Sequence, residues 1–473
     1  MITKIEVQGL YEVFNHNISL KDESITLILG ENGLGKTLVL KMIEAFFNKD
    51  FFELNSYHFT KFILHFDDES IITIAKGLNN DHSENLYFSY KTKGKKNLEK
   101  YTFNLDKFQS KGNLNIKHPK YYGAPDLHYI NATKFYINDF DLEFTIRPYL
   151  PPYIEKIGSN KWFDQMRGIT MSTETLLDLY GENIPKQYHK KFGIKSVLPK
   201  WLTDKADFIN TKFIETQRLL IKTKAGGESE YHSSVSRYSK ELVEAIKNRT
   251  VAATDLASKL DRSYPNRVIH EITKTKKISD HEIEVGLSNL NKRREVLNKV
   301  GLLDTEEEDL QPINNAINTQ RAGNKELLKD VLQIYLDDSN QKLEIYSDLA
   351  SKLELFIDLI NKRFLYKKIS IDKKAGFVFT STITQKNIPL SGLSSGEQHE
   401  LVLFYQLLFN TEPNSLLLID EPEISLHISW QNHFINDLRD VIKLTNFSAI
   451  IATHSPDIIN KNWDLTVKLK GIN

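Results

Sequence analysis

Closely spaced glycines followed at once by a lysine and a threonine form a combination suited to holding phosphate. The pattern Gly30-x-x-x-x-Gly35-Lys36-Thr37 lies between an apolar run, Ile25 to Leu29, and an amphipathic segment. In such a loop, backbone N–H groups surround phosphate oxygens, the lysine reaches the β and γ phosphates, and the hydroxyl is a ligand for Mg²⁺. The strand–loop–helix context therefore predicts a nucleotide site. The residues predicted to contact the nucleotide are Gly30, Glu31, Asn32, Gly33, Leu34, Gly35, Lys36 and Thr37.

Two acidic residues follow another apolar run. The run from Leu416 to Ile419 is typical of a parallel strand buried on both faces, and Asp420 and Glu421 come directly after it. Doubly wound α/β sheets place their active sites at this end of the strands. Asp420 suits Mg²⁺, which prefers hard oxygen ligands, and Glu421 is placed to polarise an attacking water as general base. The alternative is an acidic turn without chemistry.

A histidine ends a third apolar run. His454 comes directly after the predicted strand Ser448 to Thr453. Because it lies at the carboxyl end of a strand, we interpret His454 as a residue that could contact a γ-phosphate. The alternative is a histidine with a purely structural role.

The stretch "LSSGEQ" puts small polar residues directly ahead of an apolar segment. Ser394 and Glu397 have the spacing of a capping box, which predicts that a helix begins here with outward-facing backbone N–H groups. Such a helix start is a ready site for an anion. The pattern alone leaves open which anion Ser394, Ser395, Gly396 and Glu397 would hold.

Composition excludes several classes of protein. The chain has 473 residues, no cysteine, and 62 basic against 62 acidic residues, so its formal net charge is zero. The absence of cysteine removes disulfide frameworks and thiol catalysis. Global charge gives no evidence for nucleic-acid binding. Without a signal peptide or an apolar run long enough to span a bilayer, we expect a soluble, cytoplasmic protein.

The intervening segments predict how the chain is organised. Short alternating runs between 51 and 150 predict antiparallel strands beside the nucleotide-binding core. Gly226-Gly227 marks a boundary, beyond which the pattern becomes helical. We predict an α/β fold with domains at 1–222, 223–364 and 365–473, the middle one being a helical or coiled-coil insertion.

Two stretches of the predicted insertion have helical periodicity. Asn324 to Phe364 predicts one helix of about 60 Å, and Ile283 to Leu303 predicts a shorter partner. The acidic run at 304–309 lies in the connection between them. The simplest interpretation is an antiparallel helical hairpin, and the alternative is a compact helical bundle.

These motifs, in this order, resemble those of ABC-type ATPases, in particular the SMC, RecF and OLD-like branch. Ser394 stands at the signature serine and Gly396 at the second signature glycine, while Ser395 replaces the usual first glycine. "KFIETQRLL" resembles the Q-loop strand, so Gln217 is expected to contact Mg²⁺ or the attacking water. An ordinary surface glutamine is the alternative. The aspartate usual in the following D-loop is absent from this sequence.

The resemblance implies an ABC-type ATPase head with ATP and Mg²⁺ as its ligands. In such heads the signature faces the P-loop of a partner, so one P-loop and one signature per chain imply a homodimer or a higher homo-oligomer with composite ATP sites. The resemblance thus implies that Ser394, Ser395, Gly396 and Glu397 contact the γ-phosphate that the other copy binds. The helical insertion between Q-loop and signature is similar to the arrangement in Rad50- and SMC-like proteins.

Three functions are compatible with this resemblance. Local similarity to the ATPase subunits of PARIS-type anti-phage systems suggests a scaffold and sensor that holds a separate Toprim-like effector nuclease until a phage trigger releases it. No second acidic cluster with nuclease-like spacing is present in the sequence, so we expect any effector to be a separate chain. The alternatives are a RecF- or Rad50-like repair ATPase that binds duplex DNA, and a transporter subunit. The neutral net charge weighs against the repair ATPase, because DNA-binding dimers need clustered Lys and Arg for phosphate contacts.

Overall fold

The computed structural model describes most of the chain and divides into two compact units. The described residues are 1–78, 84–94, 98–103, 139–151, 153–158, 161–165, 169–192, 198–225, 228–273, 279–303 and 322–471. The predicted boundary at Gly226-Gly227 and the acidic run at 304–309 lie outside them. The first unit contains Met1–Glu215, Asn414–Pro422 and Phe447–Asn473, and the second contains Thr216–Pro413 and Glu423–Asn446. The predicted domain limits at 222/223 and 364/365 stay a prediction.

Nineteen strands are present in the described part of the chain. In chain order, β1 to β19 are Ile2–Leu10, Phe14–Ser19, Ile25–Leu29, Lys61–Phe66, Ile71–Leu78, Glu84–Lys91, Glu99–Phe103, Ile154–Gly158, Lys161–Asp164, Ile169–Ser172, Thr211–Ile214, Leu220–Ala225, Glu228–Ser233, Lys367–Asp372, Gly376–Ser381, Asn387–Ile388, Leu416–Asp420, Ser448–Thr453 and Thr466–Lys468.

The α-helices range from single turns to a helix of 39 residues. Those in the described residues are Lys36–Phe47, Phe51–Ser56, Asp139–Ile146, Thr173–Tyr180, Lys186–Phe192, Lys200–Ala206, Ser234–Ile272, Asp280–Lys299, Ala322–Glu344, Ser347–Arg363, Ser395–Phe409, Ile428–Gln431, Phe434–Thr445 and Pro456–Ile459.

A parallel sheet in the first unit carries the predicted catalytic strand ends. Its strand order is β11-β17-β18-β3-β19. The central strands are almost wholly buried, since Leu27, Leu418 and Ile451 are each 0% exposed. Parallel strands end at the same edge of a sheet, so the loops after β3, β17 and β18 lie together there. The predicted bounds of β3 and β18 are confirmed.

An antiparallel sheet forms the other layer of this unit, with the order β2-β1-β4-β5-β6-β7. The helix Lys36–Phe47 contributes to one hydrophobic core with this sheet and the parallel sheet, through Val39, Ile43 and Phe46 among others. Burial of such side chains stabilises each by about 1.5–3 kcal/mol relative to exposure. This core holds the phosphate-loop helix between both layers, so the predicted β lobe beside the nucleotide-binding core is confirmed.

In the second unit, the helices pair differently from the prediction. Ser234–Ile272 and Ala322–Glu344 run antiparallel, because Arg267 pairs with Asp338 whereas Asp261 pairs with Lys342. The predicted helical hairpin is therefore present, but its first arm is the 39-residue helix.

The pairing direction predicted for the shorter helix was wrong. Asp280–Lys299 runs parallel to Ala322–Glu344, since Lys329 contacts Asp280 at 2.7 Å and Arg293 contacts Asn340 at 3.2 Å. These side-chain contacts between the two helices identify the direction, and hydrophobic periodicity carries no information about it.

The single helix predicted from Asn324 to Phe364 is two helices. The turn at Ile345 and Tyr346 separates them, and the Tyr346 N–H bonds the Leu343 carbonyl at 3.1 Å. That bond spans three residues instead of four and tightens the chain locally. Apolar residues keep their spacing through the turn, so periodicity could not reveal the break.

The predicted α/β fold, with a P-loop core, an antiparallel β lobe and a helical insertion, is confirmed. No helix within the described ranges is long and apolar enough to cross a membrane.

Candidate functional site

The glycine-rich loop has the backbone conformation that its sequence requires. Gly33 and Gly35 have φ of +87° and +83°, in the left-handed region where glycine is strongly favoured. A Cβ at Gly35 would also approach Leu10 Cδ2 to 2.5 Å. The helix begins at Lys36 directly after this turn, so its first backbone N–H groups open onto the loop. The loop is thus shaped to receive an anion.

Lys36 holds its ammonium inside the loop. The residue is only 5% exposed, and Nζ donates to the backbone carbonyls of Gly30 at 2.8 Å and Glu31 at 3.0 Å. Buried charges need hydrogen-bonding partners, and these two carbonyls supply them. These two carbonyls therefore hold the ammonium at the loop.

Thr37 and Asp420, two of the three predicted metal-binding residues, meet at the edge of the parallel sheet. Thr37 Oγ1 donates to the Asp420 carboxylate, at 2.9 Å from Oδ1 and 3.0 Å from Oδ2. Asp420 is 7% exposed at the end of β17, and Thr37 lies in the first turn of the helix after β3. These residues lie 383 positions apart in the chain, and the sheet brings them together.

Glu421 lies in an unusual backbone conformation beside this contact. Its φ is +42°, a region that costs a residue with a Cβ about 1–2 kcal/mol. Its N–H bonds the Ala452 carbonyl at 2.9 Å, so the adjacent strand β18 holds it in place. Strained residues of this kind cluster at functional sites.

His454 lies next to Glu421 at the end of β18. Its Nδ1 is 3.7 Å from Glu421 Oε1, and the two side chains are 43% and 23% exposed. This separation is longer than a hydrogen bond but permits an electrostatic contact when the ring is protonated. The acidic strand end and the strand-end histidine are therefore neighbours.

The predicted capping box is confirmed. Ser394 accepts the Glu397 N–H at 3.3 Å, and Glu397 Oε2 accepts the Ser394 N–H at 2.7 Å. Lys367 donates to the same Glu397 oxygen at 2.6 Å. The signature helix, Ser395–Phe409, therefore begins with an ordered cap, while Ser394 and Ser395 stay exposed.

Replacing Ser394 by alanine tests this cap. Ser394→Ala should lower the free energy of unfolding by about 1 kcal/mol, because the Glu397 N–H loses its acceptor. Ser395→Ala is the matched control, since that neighbour is exposed and does not cap the helix. Its change should stay within about 0.5 kcal/mol. Urea denaturation of both variants measures the difference, and equal losses would contradict the capping role.

Gln217 is exposed and lines a cleft of about 380 Å³ in the second unit. The signature residues Ser394, Ser395 and Gly396 line the same cleft, as does His399. The structure thus brings Gln217 and the signature together within one unit. Lys36, Thr37, Asp420, Glu421 and His454 all lie in the other unit. The roles assigned to all these residues stay predictions.

Sequence reasoning missed a buried arginine next to Gln217. Arg218 is 5% exposed, and none of its guanidinium nitrogens has a hydrogen-bond partner within the described ranges. Burial lowers the pKa of Arg218 to about 10, against the opposing attraction of Glu423. Burial, aided by the Arg218 charge, lowers the pKa of His399 to about 4. No local pattern marks Arg218, because its environment is made by segments distant in sequence.

Comparisons with known proteins were made for the whole chain. A family model described as "AAA ATPase domain" matches residues 1–459. Protein ea59 of Escherichia phage lambda is 41% identical over 71 residues, and this match covers 15% of the chain. The chain spans only 13% of the length of that curated relative.

Solved structures of SMC heads are also similar to the chain. The Smc head domain with an extended coiled coil from Pyrococcus furiosus, bound to the C-terminal domain of ScpA, has a TM-score of 0.34 at 11% identity, covering 97% of this chain and 90% of that one. The SMC head domain from Thermotoga maritima has a TM-score of 0.32 at 11% identity, covering 100% of this chain and 95% of that one.

Proposed function

We propose that this chain, which belongs to the AAA ATPase domain family, binds ATP with Mg²⁺ and hydrolyses it to ADP and phosphate. The observation that carries the proposal is the contact of Thr37 Oγ1 with the Asp420 carboxylate at 2.9 Å. It joins a loop shaped for phosphate to an acidic strand end, which is the arrangement that phosphoryl transfer from a nucleotide requires.

The oxygen donors at this contact fit Mg²⁺. Thr37 supplies a hydroxyl and Asp420 a carboxylate, and magnesium is typically bound by one or two carboxylates together with substrate phosphates. Over the described residues, no group of three or more His, Cys, Asp or Glu is arranged to hold a metal. That absence is compatible with a site completed by phosphate oxygens. When bound, Mg²⁺ neutralises charge on the phosphoryl oxygens.

The neighbouring side chains have separate tasks in this proposal. Lys36 turns its ammonium from the carbonyls of Gly30 and Glu31 to the β and γ phosphates. Glu421 accepts a proton from the attacking water, and the strained backbone at this position aims its carboxylate. His454 contacts the γ-phosphate from the end of the adjacent strand. Gln217 contacts the metal or the attacking water.

A complete site needs two copies of the chain. The sequence has one phosphate loop and one signature, and in the resembling heads these face each other across a dimer. The exposed, capped start of the signature helix supports the proposal, since free N–H groups there favour an anion. The γ-phosphate bound by one copy would therefore lie at Ser394 to Glu397 of the other, and ATP would hold the two copies together.

We further propose that the ATPase is the scaffold and sensor of an anti-phage system. It would hold a separate Toprim-like nuclease and release it upon a phage trigger. The local resemblance of "FIETQRLL" and of the tail "SPDIINKNWDLTVKL" to PARIS-type ATPase subunits supports this proposal.

Purification and gene deletion test the scaffold proposal together. The purified chain should hydrolyse ATP slowly, form at least a dimer, and leave DNA and RNA intact with Mg²⁺ or Mn²⁺. Protection against phage should disappear when the gene for the effector is deleted. Tight, salt-sensitive binding of duplex DNA by the ATPase alone, together with an intact phenotype after that deletion, would contradict the proposal and favour a repair ATPase.

A further inference from the structure

A buried histidine of the antiparallel sheet contacts the phosphate loop. His16 lies in β2 and is 3% exposed, and its Nε2 donates to the Leu34 carbonyl at 2.7 Å. A carbonyl can only accept, so Nε2 must carry the proton. The other ring nitrogen, Nδ1, has no hydrogen-bond partner within the described part of the chain. Burial also lowers the pKa of His16 below its ordinary value, although the hydrogen bond to the Leu34 carbonyl opposes this, so burial favours the neutral ring.

The accepting carbonyl belongs to the most constrained part of the loop. Leu34 lies between Gly33 and Gly35, whose φ angles are both in the left-handed region. The described residues contain no cis peptide bond, so the bond between Leu34 and Gly35 is planar and trans. In such a bond the C=O and the N–H point in opposite directions. Holding the Leu34 carbonyl at His16 therefore turns the Gly35 N–H away from His16.

We propose that His16 is a positioning residue of the nucleotide site. Its Nε2–H fixes the Leu34–Gly35 peptide so that the Gly35 N–H faces the bound phosphates. The inference rests on the proposed function, because it assumes that this loop binds ATP. His16 acts through the loop and touches neither phosphate nor metal.

Leu10 also packs closely against the loop. A Cβ at Gly35 would approach Leu10 Cδ2 to 2.5 Å, so Gly35 is already in close contact there. Leu34 itself is 8% exposed and packs against Gly30, whose Cβ position lies 3.0 Å from Leu34 Cδ1. The loop therefore has little freedom to restore the Leu34 hydrogen bond elsewhere.

Two substitutions at His16 distinguish the hydrogen bond that its ring donates from the packing of the ring. His16→Gln keeps an N–H donor at about the reach of Nε2 but loses the ring. His16→Phe keeps a ring that can stack on Phe14, as the imidazole does at 5.9 Å and 11°, but loses the donor. We expect His16→Phe to raise the Kd for ATP about tenfold, because the buried Leu34 carbonyl loses its hydrogen-bond donor and the loop relaxes. His16→Gln should stay within about threefold of the wild type.

The opposite order of the two affinities would overturn the inference, because it would assign His16 a packing role. Titration of ATP with Mg²⁺ into each variant, after thermal melts confirm folding, gives both values. His65→Gln is the matched control, since that histidine lies in β4 of the same sheet and contacts Glu6 instead of the loop. Its affinity should equal that of the wild type.

A measurement on the unaltered protein covers the case in which both variants fail to fold. The ¹⁵N shifts of the His16 ring should show a neutral imidazole with its proton on Nε2, at pH 7, with or without ATP. A neutral ring with its proton on Nδ1 would overturn the inference, because Nε2 could then not donate to the Leu34 carbonyl. Failure of the proposed function is distinguishable, because the wild type itself would then not bind ATP.

Discussion

Lys36→Ala should abolish productive nucleotide binding, with a loss of at least about 100-fold in affinity for ATP. The ammonium of Lys36 is the positive charge buried within the loop, at 5% exposure. Backbone N–H groups alone cannot neutralise the β and γ phosphates. Titration of ATP with Mg²⁺ into the purified variant measures the loss.

Lys41→Ala is the matched control for this variant. Lys41 lies on the same helix, Lys36–Phe47, is partly exposed, and interacts with Glu44 instead of the loop. Its affinity for ATP should stay close to that of the wild type. Near-normal binding and turnover by Lys36→Ala would rule out this loop as the nucleotide site.

Glu421→Gln should bind ATP normally and hydrolyse it about 10²–10⁴ times more slowly. An amide has nearly the shape of the carboxylate but cannot accept the proton of the attacking water. Because hydrolysis would release the two copies, the variant should accumulate as a nucleotide-bound dimer. Phosphate release gives the rate, and sedimentation with ATP and Mg²⁺ gives the assembly state.

Glu412→Gln serves as the control, since Glu412 is exposed in the loop before β17. Loss of nucleotide binding in Glu421→Gln, with folding unchanged, would instead assign Glu421 a structural or metal-holding role. The strained φ of +42° makes that outcome informative, because glutamine has the same Cβ and pays the same backbone cost.

Most elements around the candidate site could be predicted from the sequence. The strands β3 and β18 and the capped start at Ser394 follow from local patterns: a short apolar run bounded by polar residues, and a capping box. The proximity of Thr37 and Asp420 could be predicted indirectly, because parallel strands have their carboxyl ends at the same edge of a sheet.

The helical insertion was less predictable, for two physical reasons. Pro265 lies inside the helix Ser234–Ile272, although proline removes a backbone donor and usually ends a helix. The parallel direction of Asp280–Lys299 and Ala322–Glu344 depends on contacts such as Lys329 with Asp280. Contacts of this kind join residues far apart in sequence, so no local window contains them.

His16 and Arg218 were missed for a related reason. The local sequence pattern gives neither residue a special role, and the partners of each come from other elements. The importance of such a residue depends on the group that it reaches after folding. Periodicity and motif spacing carry no information about that group.

Mixing two inactive variants tests the composite site most directly. Lys36→Ala removes the phosphate loop's cation. Ser395→Glu places a negative charge at the start of the signature helix, where it favours the helix but repels phosphate. In a mixed dimer, the intact loop of one copy faces the intact signature of the other. Random pairing should therefore restore about a quarter of the wild-type ATPase rate, since half of the dimers have one complete site of two. A mixture no more active than its two components measured separately would contradict the account.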